Sequence, residues 1–380
     1  MPFPLPETLP PLEIDQGLLA DPALRPVAAA LTQGRRLDHE HGLALMKSRD
    51  LLGLGALAHA ARRAKNGRRA YYVVNRHINY SNICANRCRF CAFRREKGQP
   101  GAFFLTIEDA VAKAAGDPGL RLDELHVVGS CHPGLGFAYY PALLAALAQA
   151  RPHAALKAFT PVEIVHIARA AGTGEAQVLD QLWEVGLRAM PGGGAEVFSP
   201  RVRAALCPEK PSGEDWLRVS GLAHARGIAT NATMLYGHIE TPAERVDHLF
   251  RLREQQDKSG GFSAFIPLAF HPANTGLAHL PGTTALDDLR VIAASRLILD
   301  NFPHIKAYWI MLSPKLAQTA LNFGADDLDG TIVEEHITHM AGGSTAQGLT
   351  EPELRSMIIA AGFEPFRRDA FYQAVEPEHG

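Results

Sequence analysis

The fold of this chain is decided by the stretch Tyr71-Tyr-Val-Val-Asn-Arg-His-Ile-Asn-Tyr-Ser-Asn-Ile-Cys-Ala-Asn-Arg-Cys-Arg-Phe-Cys91. It begins with an apolar run that predicts a strand, and the following loop carries three cysteines spaced Cys84-x3-Cys88-x2-Cys91. Three ligands within eight residues do not complete a structural zinc site, which takes four. They suit a four-iron cluster in which one iron stays open to an exogenous ligand.

A zinc site is the alternative at this point. The chain has 5 cysteines in 380 residues, and the other two, Cys131 and Cys207, stand alone. That density argues against a disulfide framework. Zinc would need a remote fourth ligand, which His77 or His132 would supply.

Length and composition argue against nucleic-acid and membrane partners. A chain of 380 residues that is 47% hydrophobic can bury a large core. Its formal net charge is −2, without the basic run that is typical of nucleic-acid-binding proteins. Residues 1–12 are proline-rich and unlike a signal peptide, and no stretch reads as a membrane helix. An oxygen-sensitive thiolate cluster belongs in a reducing compartment, so we expect a cytoplasmic protein.

After a helical N-terminal region, short apolar runs alternate with longer segments of helical period, which predicts βαβ units and a parallel sheet. The predicted strands are Tyr72–Val74, Leu125–Val128, Ala155–Phe159, Leu187–Met190, Ile228–Met234, Phe262–Leu268, Ile305–Met311 and an eighth at Leu321–Ala325. The predicted helices are Ile107–Ala115, Pro141–Ala150, Pro161–Ala171, Trp216–Arg226, Pro242–Gln256 and Leu286–Asn301. About eight such units indicate an α/β protein with a closed, TIM-type (β/α)8 barrel. A doubly wound open sheet is the alternative.

The same pattern divides the chain into three parts. We expect an N-terminal arm with helices at residues 1–68, the barrel at residues 69–330, and a C-terminal cap packed on it at residues 331–380. A helix near Glu351–Ala361 would belong to the cap. Because the cysteine loop follows the first predicted strand, it lies at the carboxyl ends of the strands, where barrels carry their chemistry.

Other segments at the strand ends are suited to binding a ligand. Three consecutive glycines in Met190-Pro-Gly-Gly-Gly-Ala-Glu196 let a flat ligand approach the backbone at Gly193 and Gly194, and Glu196 adds a carboxylate. The segment lacks the Lys-Ser/Thr of a phosphate loop. Glu163, after the third strand, would accept hydrogen bonds from two ribose hydroxyls, or simply interact with its helix dipole.

Polar residues at several strand ends are candidates for catalysis or substrate contact. They are His132, Asn231, Thr233, Tyr236, His238 and His271, with Arg76 and Asn79 as further candidates. His132 would act as an acid, a base or a carboxylate ligand, although a lone histidine is as often a satisfied polar group. Strand alternation puts Asn231 and Thr233 on one face, which we expect to be the barrel lumen.

Together these motifs resemble the menaquinone and deazaflavin branch of the radical S-adenosylmethionine (radical SAM) enzymes, and most closely those that make aminofutalosine. The resemblance runs from about Arg69 to Gln373. It rests on the motifs Asn79-Tyr-Ser-Asn-Ile-Cys84, Pro191-Gly-Gly-Gly-Ala-Glu-Val-Phe198, Asn231-Ala-Thr-Met-Leu-Tyr-Gly-His238, Gly324-Ala-Asp-Asp-Leu-Asp-Gly-Thr331 and His339-Met-Ala-Gly342. One departure is Gly129-Ser-Cys-His-Pro133, where Gly-Gly-Leu-His-Pro is expected.

The resemblance implies cofactors. The three motif cysteines would hold a [4Fe-4S] cluster whose open iron chelates S-adenosylmethionine (SAM). Phe90 would contact the adenine, backbone carbonyls of Gly129 and Ser130 would accept the methionine ammonium, and the glycine loop and Glu196 would line the same ligand. An electron donor such as flavodoxin or ferredoxin would reduce the cluster, and electron transfer would cleave SAM to a 5′-deoxyadenosyl radical.

The resemblance also implies a reaction. The substrate would be 3-[(1-carboxyvinyl)oxy]benzoate, a chorismate-derived enol ether of 3-hydroxybenzoate, and SAM would be consumed as a co-substrate. The radical would add to the double bond, and rearrangement with loss of a carboxyl group would give 6-amino-6-deoxyfutalosine for menaquinone synthesis. The two substrate carboxylates need cationic or donor groups, for which the candidates are His132, His238, His271 and Arg76.

Other functions stay open at this stage. Cyclic dehypoxanthinylfutalosine synthase and the deazaflavin-forming enzyme share the barrel and the cluster and differ mainly in substrate-facing residues. Outside this class, the alternative is a metal-binding interaction protein built on a barrel, since one fold hosts many functions. That alternative predicts no SAM cleavage under reducing conditions.

Overall fold

Parallel strands curl around a central lumen in the computed structural model of the chain, which describes residues 3–4, 6–116, 119–333, 337–343 and 345–375. The strands are β1 (Arg69–Val73), β2 (Asn75–Ile78), β3 (Glu124–Val127), β4 (Ala155–Ala158), β5 (Leu187–Met190), β6 (Ala229–Tyr236), β7 (Phe262–Ala269), β8 (His304–Ile305), β9 (Asp327–Gly330) and β10 (Glu364–Arg367). The first helices are α1 (Arg25–Thr32), α2 (His39–Lys47), α3 (Leu51–Asn66), α4 (Ile107–Ala115), α5 (Tyr139–Ala150), α6 (Pro161–Ala171), α7 (Glu175–Glu184) and α8 (Pro200–Leu206). They are followed by α9 (Gly213–Ala225), α10 (Pro242–Ser259), α11 (Ala285–Ile298), α12 (Trp309–Leu312), α13 (Pro314–Ala320), α14 (Ile337–Met340) and α15 (Glu351–Ala360).

The central sheet is parallel and follows chain order, β2-β3-β4-β5-β6-β7-β8. A second parallel sheet, β10-β1-β9, joins it, because β1 leads directly into β2 and β9 lies beside β8. At that junction the Ala307 amide donates to the Asp327 carbonyl at 2.8 Å, and the Asp326 amide donates to the Ile305 carbonyl at 3.0 Å. The predicted barrel is therefore confirmed, and the doubly wound alternative, whose strand order reverses at a switch point, is wrong.

Two predicted strands are wrong in detail. The run Ile305–Met311 supplies only the short β8 before α12 begins, and Leu321–Ala325 contains a 3-10 turn, Leu321–Phe323, ahead of β9. The eighth barrel strand is β9, with the sequence Asp-Leu-Asp-Gly. Its acidic residues are buried in ion pairs, Asp327 with Arg368 and Asp329 with Lys306, and a hydropathy pattern does not reveal such a strand.

Capping side chains set where many of the helices begin. The residues that open a capping box are Asp38, Thr106, Thr160, Ser212, Thr241 and Thr350. Each satisfies backbone amides that the first helical turn leaves without partners. For the site, the important case is Thr160, because its capping box fixes Glu163 at the start of α6.

The C-terminal residues lie against the first strand of the barrel. β10 pairs with β1 in parallel register, with Arg69 opposite Glu364. Beyond β10, the Arg368 guanidinium pairs with the Asp327 carboxylate, and the Tyr372 ring stacks on the His304 ring with centroids 3.6 Å apart. Across the described part of the chain, no helix has both the length and the apolar surface to cross a membrane.

Candidate active site

A cavity of about 320 Å³ opens at the carboxyl ends of the strands and extends into the barrel lumen. Most of the predicted site residues line it, namely Cys84, Cys88, Phe90, Cys91, Gly129, Ser130, Glu163, Gly193, Gly194, Glu196, Thr233 and His271. His132, Asn231, Tyr236 and His238 are not among the lining residues. The structure thus brings the predicted cofactor residues together and separates them from most of the predicted catalytic ones.

The three motif cysteines lie in the loop after β2 and face the cavity. Burial raises the pKa of Cys88 to about 12, and burial also raises the pKa of Cys91. Cys84 differs, because a hydrogen bond with the thiol of Cys131 lowers its pKa to about 6. The Asn86 side-chain amide donates to the Cys131 sulfur at 3.3 Å, so Cys131 is part of this sulfur-rich wall.

This donor set fits an iron–sulfur cluster. Among the described residues, no three His, Cys, Asp or Glu side chains converge as ligands of a single metal ion. In a four-iron cluster each thiolate binds a different iron, so the sulfurs must share a cavity without converging on one point. Cys84, Cys88 and Cys91 meet that requirement from one loop, and an open fourth iron would face the cavity.

Lys210, between α8 and α9, is a site residue that the sequence interpretation missed. Its ammonium contacts the Glu196 carboxylate at 2.5 Å and lies 5.0 Å from the centre of the Phe90 ring. Burial alone would lower the pKa of this ammonium, but the nearby Cys88, Glu196 and Cys207 raise it well above its ordinary value. A buried cation beside thiols stabilises their thiolate form, which is the form that binds metal. In sequence, Pro-Glu-Lys-Pro gives no signal of this role.

Glu163 is already held by protein donors. One carboxylate oxygen accepts from the Thr160 amide at 2.7 Å. The other accepts from the Tyr80 hydroxyl at 2.7 Å and from the Gly129 amide at 3.1 Å. The Ser130 carbonyl, which also lies at the cavity, accepts from the same hydroxyl at 2.9 Å. A ligand that bonds to either group would therefore compete with, or share, these donors.

The glycine loop after β5 packs closely against its neighbours. A Cβ on Gly192 would lie 2.5 Å from the Asn231 carbonyl oxygen. Gly194 has φ +87°, and a Cβ there would lie 2.3 Å from a methyl group of Val162. The Thr233 hydroxyl donates to the Gly192 carbonyl at 2.6 Å. The loop therefore needs glycine for its own packing, and it presents bare backbone to the cavity.

The predicted histidines at the strand ends have other partners. The His132 ring lies beside the Phe104 ring and accepts a hydrogen bond from the Gly134 amide at 3.0 Å. The His238 ring lies 3.0 Å from the Leu235 carbonyl and 2.7 Å from the Glu240 carboxylate, and its side chain is fully buried. Both are therefore placed outside the cavity lining by local hydrogen bonds that a strand pattern does not predict.

Tyr236 and Asn231 are also engaged outside the cavity lining. The Tyr236 hydroxyl donates to Asp288 at 2.7 Å, and burial with that neighbouring carboxylate raises the pKa of the phenol well above its ordinary value. The Asn231 side-chain oxygen accepts from the Ser263 hydroxyl at 3.0 Å. Of the candidates for catalysis or substrate contact, Thr233 and His271 line the cavity, and the His271 Nε2 atom lies 3.0 Å from the Met311 carbonyl.

The part of the cavity that lies deepest in the barrel, its lumen end, holds residues that the sequence interpretation did not assign to a substrate. His77 on β2 and His126 on β3 line it, with their rings stacked at a centroid distance of 4.4 Å. Arg76, in contrast, donates to the Lys113 carbonyl at 2.6 Å and does not line the cavity. Alternation along β2 explains the difference, because neighbouring residues of a strand point to opposite faces.

Comparison with known proteins agrees with this geometry. Residues 78–252 match the model of the Radical SAM superfamily, and residues 259–379 match the model of the CofH/MqnC C-terminal region. The chain is 48% identical over 363 residues to aminodeoxyfutalosine synthase of Thermus thermophilus, which covers 94% of this chain and 97% of that protein. It is 42% identical to aminodeoxyfutalosine synthase of Streptomyces coelicolor, covering 94% and 95%.

A further relative has a different name. The chain is 38% identical to 5-amino-6-(D-ribitylamino)uracil–L-tyrosine 4-hydroxyphenyl transferase of Methanopyrus kandleri, over 92% of this chain and 95% of that protein. Among solved structures, the FeFe-hydrogenase maturase HydG from Carboxydothermus hydrogenoformans superposes with a TM-score of 0.72 at 16% identity, covering 92% and 80%. Methylornithine synthase superposes with a TM-score of 0.69 at 17% identity, covering 88% and 95%. These two structures share the fold with this chain.

Proposed function

Because the chain belongs to the radical SAM superfamily and is an enzyme of its carbon–carbon bond-forming menaquinone and deazaflavin branch, we propose that it is an aminodeoxyfutalosine synthase. Its substrate is 3-[(1-carboxyvinyl)oxy]benzoate, and its product is 6-amino-6-deoxyfutalosine. The observation that carries this proposal is the similarity to two enzymes of that name over nearly the whole chain.

The cofactors are a [4Fe-4S] cluster and SAM, which is consumed. Cys84, Cys88 and Cys91 hold the cluster. When bound, the cluster supplies the electron that cleaves SAM to methionine and a 5′-deoxyadenosyl radical. Lys210 keeps a positive charge beside the thiolates. The same ammonium packs over the Phe90 ring, and we propose that this ring contacts the adenine of SAM.

The backbone of the glycine loop and two carboxylates bind the rest of SAM. Gly193 and Gly194 give the nucleoside a surface without side chains. Glu163 and Glu196 each present a carboxylate to the same cavity and accept hydrogen bonds from the ligand. Gly129 and Ser130 close this part of the site through backbone groups.

The substrate occupies the lumen end of the cavity. Its walls include Ile266, Leu268, Phe270 and Met311, against which an aromatic ring packs. Holding the double bond against the 5′ carbon favours addition over hydrogen abstraction, because the geometry of approach decides between the two reactions. The aryl group then migrates from the ether oxygen to the adduct carbon, and the bond to the vinyl carboxylate breaks. The carboxylate leaves as carbon dioxide and its unpaired electron would return to the oxidised cluster, which gives the closed-shell ketone product.

The second candidate function is transfer of the 4-hydroxyphenyl group of L-tyrosine to 5-amino-6-(D-ribitylamino)uracil. The similarity to the archaeal transferase favours it, since that protein also aligns over nearly its whole length. The two reactions use the same cluster and SAM and differ in the substrate that occupies the barrel lumen.

The electron donor is a flavodoxin or a ferredoxin that docks on the cysteine loop. Arg87 and Arg89 flank Cys88 on either side and are exposed, and Lys97 is exposed at the end of the same loop. Glu96 in the same stretch pairs with Arg87 and Arg94, and the cations still outnumber it, so the cysteine loop has a basic surface that attracts an acidic electron-transfer protein.

One assay tests the proposed function. The anaerobically reconstituted, reduced enzyme is incubated with SAM and 3-[(1-carboxyvinyl)oxy]benzoate, and the products are identified by mass spectrometry. We expect an adduct that carries the adenosyl group and has lost one carboxyl group. If the tyrosine–uracil adduct forms from the archaeal substrates instead, the second candidate is correct. An intact cluster that never cleaves SAM would contradict both.

A further inference from the structure

Two histidines at the lumen end of the cavity are available to a ligand. His77 and His126 stand opposite each other in the register of β2 and β3, and their rings stack at an interplanar angle of 14°. His77 is 6% exposed, lines the cavity, and has no hydrogen-bond partner for its ring among the described residues. The His126 Nδ1 atom faces the Glu124 carboxylate at 3.7 Å, an ion-pair contact that is longer than a hydrogen bond, and its Nε2 atom has no hydrogen-bond partner among the described residues.

The depth of the pair separates it from the SAM end of the cavity. His126 precedes Gly129 by three residues along the direction of β3. At about 3.3 Å per residue, the ring pair lies about 10 Å deeper than the glycine at the strand end. Between the two levels the wall includes Val128, Ile266 and Leu268, which suits an aromatic ring and offers it no hydrogen bond.

The charges around the pair cancel. Glu124 on β3 pairs with Lys157 on β4, and Asp329 on β9 pairs with Lys306 at 3.3 Å. Burial, together with the neighbouring His126 ring, lowers the pKa of His77 well below its ordinary value. The pair therefore lies among paired charges, except that the Glu124 Oε1 atom has no hydrogen-bond partner and faces His126 Nδ1. An arriving anion would bind on the cavity side of the rings, away from that oxygen.

We propose that His77 and His126 form the binding site for a carboxylate carried by an aromatic ring. In the reaction proposed above, on which this inference rests, that group is the benzoate carboxylate of the enol ether. The ring fills the apolar section of the cavity, which leaves the vinyl group at the upper end, beside the 5′ carbon of SAM. By binding the carboxylate, the pair selects which aromatic substrate enters the cavity. It also sets the position of the substrate's vinyl group relative to SAM.

The test compares the full substrate with a truncated one, 2-phenoxyacrylate, which keeps the enol ether and lacks the benzoate carboxylate. The cluster-loaded enzyme should prefer the full substrate in kcat/KM. In His77→Gln and His126→Gln we expect KM for the full substrate to rise about 10- to 100-fold, as for loss of a hydrogen bond to a charged group. KM for the truncated substrate should stay within about twofold. His153→Gln, an exposed histidine in the turn before β4, is the matched control and should resemble the parent enzyme.

A second measurement needs no substitution. 3-Hydroxybenzoate should compete with the substrate, whereas phenol should not. Because burial holds the free His77 ring neutral and a bound carboxylate favours its imidazolium form, binding takes up a proton, so inhibition by 3-hydroxybenzoate should weaken as the pH rises.

The outcomes distinguish this inference from the proposed function. In one outcome, the parent enzyme forms the adduct and both glutamine variants still prefer the full substrate over the truncated one as strongly as the parent does. The proposed carboxylate site would then be wrong, and the proposed function would stand. Equal inhibition by 3-hydroxybenzoate and phenol would also overturn the site. If no adduct forms with either arene while SAM is still cleaved, the proposed function fails first.

Discussion

At the residue scale, the arrangement of the sulfur atoms decides what the site can hold. Cys131 lies against Cys84 and lines the same cavity, so the wall contains four thiols although the motif has three. The proposed cluster uses only Cys84, Cys88 and Cys91, which leaves the fourth iron position to SAM.

Single substitutions distinguish the proposed cluster ligands from Cys131, the fourth thiol of the cavity wall. Cys88→Ala should remove the visible iron–sulfur absorbance and SAM cleavage, whereas Cys131→Ala should keep a stoichiometric cluster. Iron and sulfide analysis after anaerobic reconstitution measures both. A cluster that survives in Cys88→Ala, or that is lost in Cys131→Ala, would assign the ligands differently.

Removing one partner of the buried Lys210–Glu196 pair should destabilise the fold. Lys210→Met leaves the buried Glu196 carboxylate without its partner, which costs about 3–5 kcal/mol in the free energy of unfolding. In the double variant Lys210→Met/Glu196→Gln no charge is left, so most of that loss should be recovered. Urea unfolding of the three proteins checks this. A double variant as unstable as the single one would show that the charge pair is not the cause.

The residues predicted to bind cofactors lie together at the cavity, whereas most of those predicted to be catalytic do not, and the reason is physical. The cysteines are recognised by their spacing and the glycines by the backbone freedom that their loop needs, and both features are visible in the linear sequence. The orientation of a histidine depends on neighbours distant in sequence, as His238 beside Glu240 and Leu235 illustrates. The sequence suggests His77 only as a zinc ligand, because a strand buried on both faces gives no sign of which side chains point into the lumen.

At the scale of elements, two loops at the carboxyl ends of the strands contribute most of the site. The glycine loop packs against β6 and the start of α6, and the cysteine loop presents thiols inward and arginines outward. The helices were predictable because each carries an apolar period, and several also begin at a capping residue. β8 and β9 were not, since one is two residues long and the other is acidic. The division at residues 68 and 330 stays a prediction.

The glycine loop should not tolerate a side chain at Gly194. Gly194→Ala adds a methyl group that would lie 2.3 Å from Val162, in a backbone conformation with φ +87° that alanine disfavours. We expect a loss of about 1–3 kcal/mol in stability and at least tenfold weaker SAM binding by equilibrium dialysis. Gly174→Ala, where an added Cβ has no neighbour within 4 Å, is the control and should bind SAM normally.

The outer face of the cysteine loop should control reduction by a protein donor. In Arg87→Glu/Lys97→Glu we expect flavodoxin to reduce the cluster about tenfold more slowly at low salt, with the difference shrinking as salt screens the charges. SAM cleavage driven by dithionite should be unchanged. Lys258→Glu, an exposed charge reversal at the end of α10, serves as the control. Equal slowing with both reductants would mean that the loop itself, not docking, was damaged.

At the scale of the whole molecule, buried neutral histidines make stability depend on pH. His248 accepts from the Phe198 amide at Nδ1 and donates to the Thr233 carbonyl at Nε2, so its ring is held neutral. Burial lowers its pKa to about 3, and burial likewise lowers the pKa of His224 to about 3. In the unfolded chain both take up protons near their ordinary pKa of about 6.5.

Acid should therefore weaken the fold before its carboxylates titrate. Because the unfolded chain binds more protons than the folded one between about pH 6.5 and pH 3, each histidine lowers stability by about 1.4 kcal/mol per pH unit across that window. Denaturant unfolding at pH 7 and pH 5 should show this loss. In His248→Gln, whose side chain does not titrate, the slope should decrease by about one histidine's share, and an unchanged slope would contradict the assignment.

The pairing of β1 with β10 joins two strands that the ribosome makes far apart in time. The first strand of the barrel has Glu364 as the partner of Arg69, and between them lie nearly all the residues of the barrel. A ribosome that adds about 5–20 residues per second needs on the order of 15–60 seconds to deliver that partner after the first strand has been made. During this interval that edge of β1 has no partner. The strand that closes the barrel, β9, lies between β1 and β8 and is also made late, so closure waits until synthesis is nearly finished. Insertion of the proposed cluster, which needs the cysteine loop after β2, is then expected to be a late event in the maturation of the enzyme.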